Sequence, residues 1–280
     1  MVSYLCEIAQ VSRSGFYAWL KAAPNRYQRE ENDREDYKVI EKIFNASKRK
    51  GGWRTIKMNL EKECAIVMNH KKILRIMQRF HLVTVVRRKN PYRKMAKATQ
   101  SHKTVCNLLE RKFDHHEPQK VLLTDITYLY YAEGRKAYLS VIKDGSTREI
   151  LAYHLSTSLE MDLVMKTLDR LQESLGGNIH PEAIIHSDQG FHYTHPEFRD
   201  RVKELSITQS MSRKGNCLDN ASMESFFGHM KDEITIKECR SFTEVQNTID
   251  EYIEYYNCRR YQWGLRKMTP NQYRDHLIAS

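Results

Sequence analysis

The first third of the chain carries its apolar residues at helical spacing. Tyr37, Val39, Ile40, Ile43 and Phe44 recur on a 3.6-residue period, Ile56 and Leu60 mark a second helix, and residues 70–80 give the clearest third. There Ile73, Leu74, Ile76, Met77 and Phe80 form an apolar side opposite a stripe of Lys71, Lys72, Arg75, Gln78 and Arg79, with Asn69 placed as an N-cap. Three short helices, the last with a core face and a basic face, predict a helix-turn-helix whose third helix enters a DNA groove. The competing reading is an amphipathic helix with an ordinary solvated face. From about Glu117 the period changes. Val121–Tyr131, 137–142 and 149–154 read as successive strands, and 161–175 as a helix with Leu163, Val164, Leu168, Leu171 and Leu175 on one side. A strand at 183–186, a helix at 197–205, a short strand at 207–211 and a helix around Glu224 follow. A C-terminal helix then sets Phe242, Val245, Ile249, Tyr252, Ile253 and Tyr256 on one face. Such an order predicts an α/β mixed sheet flanked by helices, preceded by an all-α region and followed by a C-terminal helix.

Charge divides the chain at the same place. Residues 1–112 hold 26 Lys/Arg against 10 Asp/Glu, and residues 113–280 hold 20 against 25. Between 64 and 109 there are eleven Lys/Arg and no carboxylate, a one-sign stretch that calls for a polyanion, and nucleic acid is the fitting one. Residues 87–104 keep no period, include Asn90-Pro91 and carry seven of those cations, which predicts a linker lying along phosphates. The expected division is 1–86 helical and DNA-binding, 87–116 basic linker, and 117–280 catalytic core with a C-terminal helical extension. No apolar run approaches the ~20 residues of a membrane span. The six cysteines (6, 64, 106, 217, 239 and 258) lack zinc spacing and read as reduced thiols, which predicts a cytoplasmic protein.

Three acids stand out. Asp125 closes the apolar run Val121-Leu122-Leu123-Thr124, and Asp188 closes Ala183-Ile184-Ile185-His186-Ser187 before Gln189-Gly190. Thirty-five residues separate Asp188 from Glu224, which lies in a helix that also carries Asn220, Ser225, Phe226 and Phe227. A lone Asp after a strand is ordinarily a turn former and a lone Glu a solvated face. Together the three suit a hard divalent cation, and paired metals drive phosphoryl transfer. Lys231 lies seven positions beyond Glu224, nearly two turns, hence on the same face. Asp219 reads as an N-cap and Asp144 as a turn residue before Gly145. Arg259, Arg260, Tyr261 and Trp263 combine cations and aromatics, for DNA contact or for packing.

At these residues the chain resembles the OrfB-type DDE transposases of the insertion-sequence-three family. The matching text is Thr124-Asp125-Ile126-Thr127-Tyr128, Ile185-His186-Ser187-Asp188-Gln189-Gly190 with Tyr193, and 210–227 around Asn216, Asp219, Asn220 and Glu224. It extends from Val11-Ser12-Arg13-Ser14-Gly15-Phe16-Tyr17 to Thr269-Pro270, and departs at Gly51-Gly52-Trp53-Arg54, where Tyr-Gly-Tyr-Arg is expected. The resemblance implies an RNase H-like fold whose first and fourth strands are neighbours, uniting Asp125 and Asp188 across the 62 residues between them. It also places a helix-turn-helix in the N-terminal part.

The activity implied is strand cleavage at element ends followed by strand transfer. Asp125, Asp188 and Glu224 are expected to hold two Mg²⁺ ions, with Mn²⁺ as a substitute. Lys231 is expected on terminal phosphate, Asn220 on DNA or a carboxylate, and Lys71, Lys72, Arg75 and Arg79 on DNA. Expected partners are double-stranded DNA (element ends and target), further copies of the chain, and the upstream OrfA protein or a fusion with it, at the bacterial nucleoid. Two other readings remain: a same-fold nuclease without strand transfer, and a transposase-derived DNA-binding regulator.

Overall fold

Polar helix formers, as much as apolar spacing, shape the N-terminal region. Its helices are α1 (Val2–Ile8), α2 (Arg13–Lys21), α3 (Ala23–Ala46), α4 (Trp53–Glu63) and α5 (His70–Arg79). The computed structural model describes residues 1–85, 105–109, 116–213 and 220–280, and contacts divide the chain into the units Met1–Val86 and Arg87–Ser280. The expected helix around Tyr37–Phe44 is the second half of α3, which starts at Ala23. Its first half lacked an apolar period because, before Ile40, Asp33 is its buried residue. Ile40, Phe44, Ile56, Leu60, Met68, Ile73, Ile76 and Met77 form the core of α3, α4 and α5. Asn69 caps α5 as expected, its side-chain oxygen accepting from the Lys71 N–H at 2.9 Å.

The pair α1 and α2 is absent from the sequence expectation. Helix α1 ends with Gln10 in the left-handed region (φ 53) and with the Val11 N–H bonded to the Cys6 carbonyl at 3.0 Å. Ser12 then caps α2, its Oγ accepting from the Gly15 N–H at 3.0 Å. A short turn thus joins the two helices, its geometry set by Gln10 and by the Ser12 cap. Neither reaches the length at which periodicity becomes readable.

The second unit is built on β1 (Val121–Tyr131), β2 (Arg135–Asp144), β3 (Ile150–Ser156), β4 (Ile184–Ser187) and β5 (Thr208–Met211). Its helices are α6 (Asp162–Ser174), α7 (Phe191–Thr194), α8 (Pro196–Glu204), α9 (Ala221–Glu233), α10 (Phe242–Cys258) and α11 (Pro270–Ile278). The strands lie in the order β3-β2-β1-β4-β5. Strands β1, β2 and β3 are antiparallel neighbours, whereas β4 runs parallel to β1, and β5 to β4. Successive strand residues point to opposite faces, and β1 shows it. Val121 and Leu123 join Met223, Phe226 and Phe227 of α9 and Val245, Ile249 and Tyr256 of α10. Leu122 joins Val164 and Leu168 of α6 and Phe198 and Val202 of α8. Each such side chain, fully buried, contributes about 1.5–3 kcal/mol. The expected mixed sheet with helices on both faces is therefore the fold, and the C-terminal helix is followed by one more, α11.

Candidate active site

Register, more than sequence spacing, unites the first two acids. The parallel pairing of β1 with β4 ends at Leu123 opposite His186. Two residues further along each chain stand Asp125 and Asp188. Strand β1 continues past Asp125, which stays opposite Val141 on β2, so only Asp188 follows a strand end.

The Asp125 carboxylate accepts from the Ile126 N–H at 2.8 Å and from Asn220 Nδ2 at 3.0 Å. Burial pushes its pKa up to about 7; the Asp188 carboxylate adds to the rise, Glu224 adds a smaller part, and the two donors oppose it. Asp188 accepts from the Gly190 N–H at 2.8 Å, and burial raises its pKa as well, against that N–H and His192. A Cβ at Gly190 would stand 2.8 Å from Asp188 Oδ1, so glycine is what lets the loop close on the carboxylate. Neither acid is in an ion pair among the described residues. A buried carboxylate without a cation is costly unless it takes up a proton or a metal.

Glu224 is exposed in the first turn of α9. Among the described residues no three His, Cys, Asp or Glu side chains close into a compact metal cluster. Asp125 and Asp188 stand together, and Glu224 is the weakest contributor to the Asp125 pKa. Two residues tie its helix face to β1: Asn220 through Asp125, and Lys231, whose Nζ donates to Thr127 Oγ1 at 2.5 Å. Asn220 orients a carboxylate, one of its two expected roles. It is also the N-cap position, without a side-chain cap bond, where Asp219 was expected; Asp219 itself lies outside the described residues, as does 86–104, most of the basic linker.

Other expectations resolve as packing. His186 Nδ1 lies 2.9 Å from Ser210 Oγ in the interior, and Asp144 accepts from the Gln119 and Ser146 N–H groups at 2.7 and 2.9 Å. Arg260 grips Glu233 through two nitrogens at 2.6–3.0 Å. In the N-terminal unit Arg75 pairs with Asp33 at 2.7 Å, Arg79 with Glu30 at 2.8 Å and with Asp33 at 3.6 Å, and Lys72 with Asp36. Lys71 is exposed and in no ion pair among the described residues. It lines a groove of about 640 Å³ with Asn25, Gln28, Arg29, Asn32 and Asn69.

Lys143 is a residue the sequence did not single out. It is 2 % exposed, and its Nζ donates to the Ser222 carbonyl at 2.7 Å and lies 2.9 Å from Ser222 Oγ, in the first turn of α9. Burial, helped by Arg148, pushes its pKa down to about 7. A Lys beside Asp-Gly reads as a strand end in solvent, and only the pairing of β1 with β2 reveals the burial.

Known proteins fit this architecture. The chain matches the Integrase core domain over residues 115–217, a second Integrase core domain description over 224–278, and the HTH-like domain over 30–90. It is 36% identical over 274 residues to the InsK transposase for insertion sequence element IS150 of Escherichia coli (strain K12), covering 97% of this chain and 92% of that protein. It is 40% identical over 214 residues to an uncharacterized transposase-like protein of Haemophilus influenzae, covering 76% of this chain and 96% of that one. Identity to the transposase InsF for insertion sequence IS3A of Escherichia coli (strain K12) is 28% over 282 residues, covering 99% and 95%. An acidic pair on an integrase-type sheet, a helical HTH-like region before it and end-to-end transposase relatives lead to one assignment: the chain belongs to the IS3-type insertion-sequence transposases, DNA-acting enzymes of the polynucleotidyl-transferase type.

Proposed function

We propose that Asp125, Asp188 and Glu224 form the metal-binding catalytic triad of a DDE transposase that cuts one DNA strand at an element end and joins the freed 3′-hydroxyl to target DNA. The observation that carries this reading is the half-buried Asp125–Asp188 pair, in register and without a cation partner among the described residues. Its surplus negative charge and all-oxygen donor set fit Mg²⁺, or Mn²⁺ in its place. Two such ions, when bound, would neutralise charge on the attacking and leaving oxygens. The chain's own groups do the positioning. Asn220 fixes one oxygen of Asp125, the Gly190 N–H fixes Asp188, and α9 presents Glu224 and Lys231 on the face that meets β1. Lys231, bonded to Thr127 two residues along β1 from Asp125, takes a phosphate oxygen of the bound end in this reading.

In this reading residues 1–86 bind duplex DNA, 87–116 follow its phosphates, and 117–280 perform the chemistry. Within 1–86 two surfaces serve: the groove with Lys71 and Arg29, and the exposed α2 face of Arg13, Ser14, Tyr17 and Lys21, which lies before the matched HTH-like region. Helix α2 contains no acid. The same reading entails several copies on DNA, an OrfA partner or fusion, and work in the bacterial cytoplasm at the nucleoid. A strand-transfer assay on labelled end DNA with Mg²⁺ tests it. Joined product is expected; cleavage without joining points to a nuclease, and binding without cleavage to a regulator.

A further inference from the structure

We propose that Lys143 is a positioning residue for Glu224, pinning the first turn of α9 to the sheet through its bonds to Ser222. The proposal rests on the reading of Glu224 as a site residue and adds what holds it in place. Strand β2 brings Lys143 opposite Leu123 of β1, and its ammonium reaches beneath the helix start. Ser222 lies two residues before Glu224 and two after Asn220. It therefore sits on the far side of the helix from the β1-facing set, since two positions turn a helix by about 200°. Asn220 and Lys231 hold one side of α9 through Asp125 and Thr127, and Lys143 holds the other. Contacts on both sides fix the rotation of the helix about its axis, which determines where Glu224 points.

The placement makes little sense as stabilisation alone. The ammonium is buried and in no ion pair among the described residues; it meets a carbonyl, a hydroxyl and, 5.9 Å away, the Phe226 ring, with Arg148 opposing its charge and Asp144 favouring it through space. It also faces the positive end of the helix dipole, where a cation is disfavoured. An apolar side chain of the same length would pack there without either penalty. What it could not do is donate to Ser222. Among the described residues the helix start has no side-chain cap of its own, so that bond adds a polar hold on this turn beside the packing of Met223 and Phe226.

The test is Lys143→Met in the full chain, with Glu224→Gln alongside. Hydrogen exchange followed by mass spectrometry on chelator-treated protein should show exchange in 221–226 rising at least tenfold in Lys143→Met. Peptides from β1, β2 and α6 should keep wild-type protection. Single-turnover cleavage of end DNA should fall about tenfold with DNA affinity unchanged. Wild-type exchange in 221–226 overturns the proposal, and so does a rise spread over sheet and helices alike, which would mean a merely structural role. The exchange measurement needs no activity. Failure of the metal-site reading would show separately, as wild-type cleavage by Glu224→Gln.

Discussion

Charge is handled in opposite ways in the two units. Along α3 and α5, Glu30, Asp33 and Asp36 meet Arg79, Arg75 and Lys72, and even the 1 %-exposed Asp33 has arginine partners. At Asp125 and Asp188 two half-buried acids stand side by side and, among the described residues, meet N–H groups alone. The first arrangement completes itself within the fold. The second leaves two carboxylates with no cation among the described residues, the kind of perturbed cluster that functional sites collect. A basic stripe read from sequence thus says less about DNA than a cation without a partner does.

The largest effect should come from removing the uncompensated acids. Asp125→Asn, Asp188→Asn and Glu224→Gln each delete a charged oxygen ligand while keeping shape. Single-turnover cleavage should fall about a thousandfold or more, with duplex binding unchanged by fluorescence anisotropy. A variant that still cleaves at the wild-type rate in Mg²⁺ removes its residue from the site.

The same pair should also leave a mark on stability without any substrate. Asp125 has a folded-state pKa of about 7 against 3.8 for the free side chain. Below pH 4 both states carry the proton and burial is no burden. As pH rises from 4 to 7 the unfolded chain releases its proton before the folded one, so stability falls, by roughly 3–4 kcal/mol if Asp125 acts alone. In chelator, Asp125→Asn should melt above wild type at pH 8, and the gap should close toward pH 4. Identical melting at pH 8 would break the contrast between the two units.

The sheet was readable because its strands alternate or run apolar for long enough to exceed noise: Val121–Tyr131 has the same bounds in sequence and structure, and every other strand in the second unit lies within two residues of expectation. Asp125, Asp188 and Glu224 were legible through the resemblance, and the register then gave a physical reason for the first two to meet. What escaped detection was short or paired at a distance. Helices α1 and α2 have too few turns to show a period. The acids of α3 look like a solvated face until α5 is packed against them, and Lys143 looks exposed until α9 covers it.

A smaller effect is expected where the fold already balances its charges. Asp33→Ala removes the buried acceptor of Arg75 and leaves that arginine free to turn to solvent, while Arg79 keeps Glu30. A charge-assisted hydrogen bond of this kind contributes about 1.5–3 kcal/mol, so chemical denaturation should show a loss of that size. DNA affinity should hold or rise, since one cation is released. A drop in affinity larger than the unfolded fraction explains would show that the pairing itself presents the DNA surface.

The smallest effect separates Lys71 from its neighbours on the same stripe. Lys71 is exposed at the start of α5, lines the groove with Arg29, and is in no ion pair among the described residues. If it meets a phosphate, Lys71→Ala should lower duplex affinity a few-fold at moderate salt. The slope of log affinity against log salt should become shallower by about one, because one fewer counterion is released. Its melting should stay within about 0.5 kcal/mol of wild type. Arg75→Ala should behave the other way, losing stability with Asp33 left buried and held only by Arg79 at 3.6 Å, and keeping the wild-type salt slope. Equal slopes for Lys71→Ala and wild type would take Lys71 off the DNA surface, and a shallower slope for Arg75→Ala would show that an internally paired cation also serves DNA.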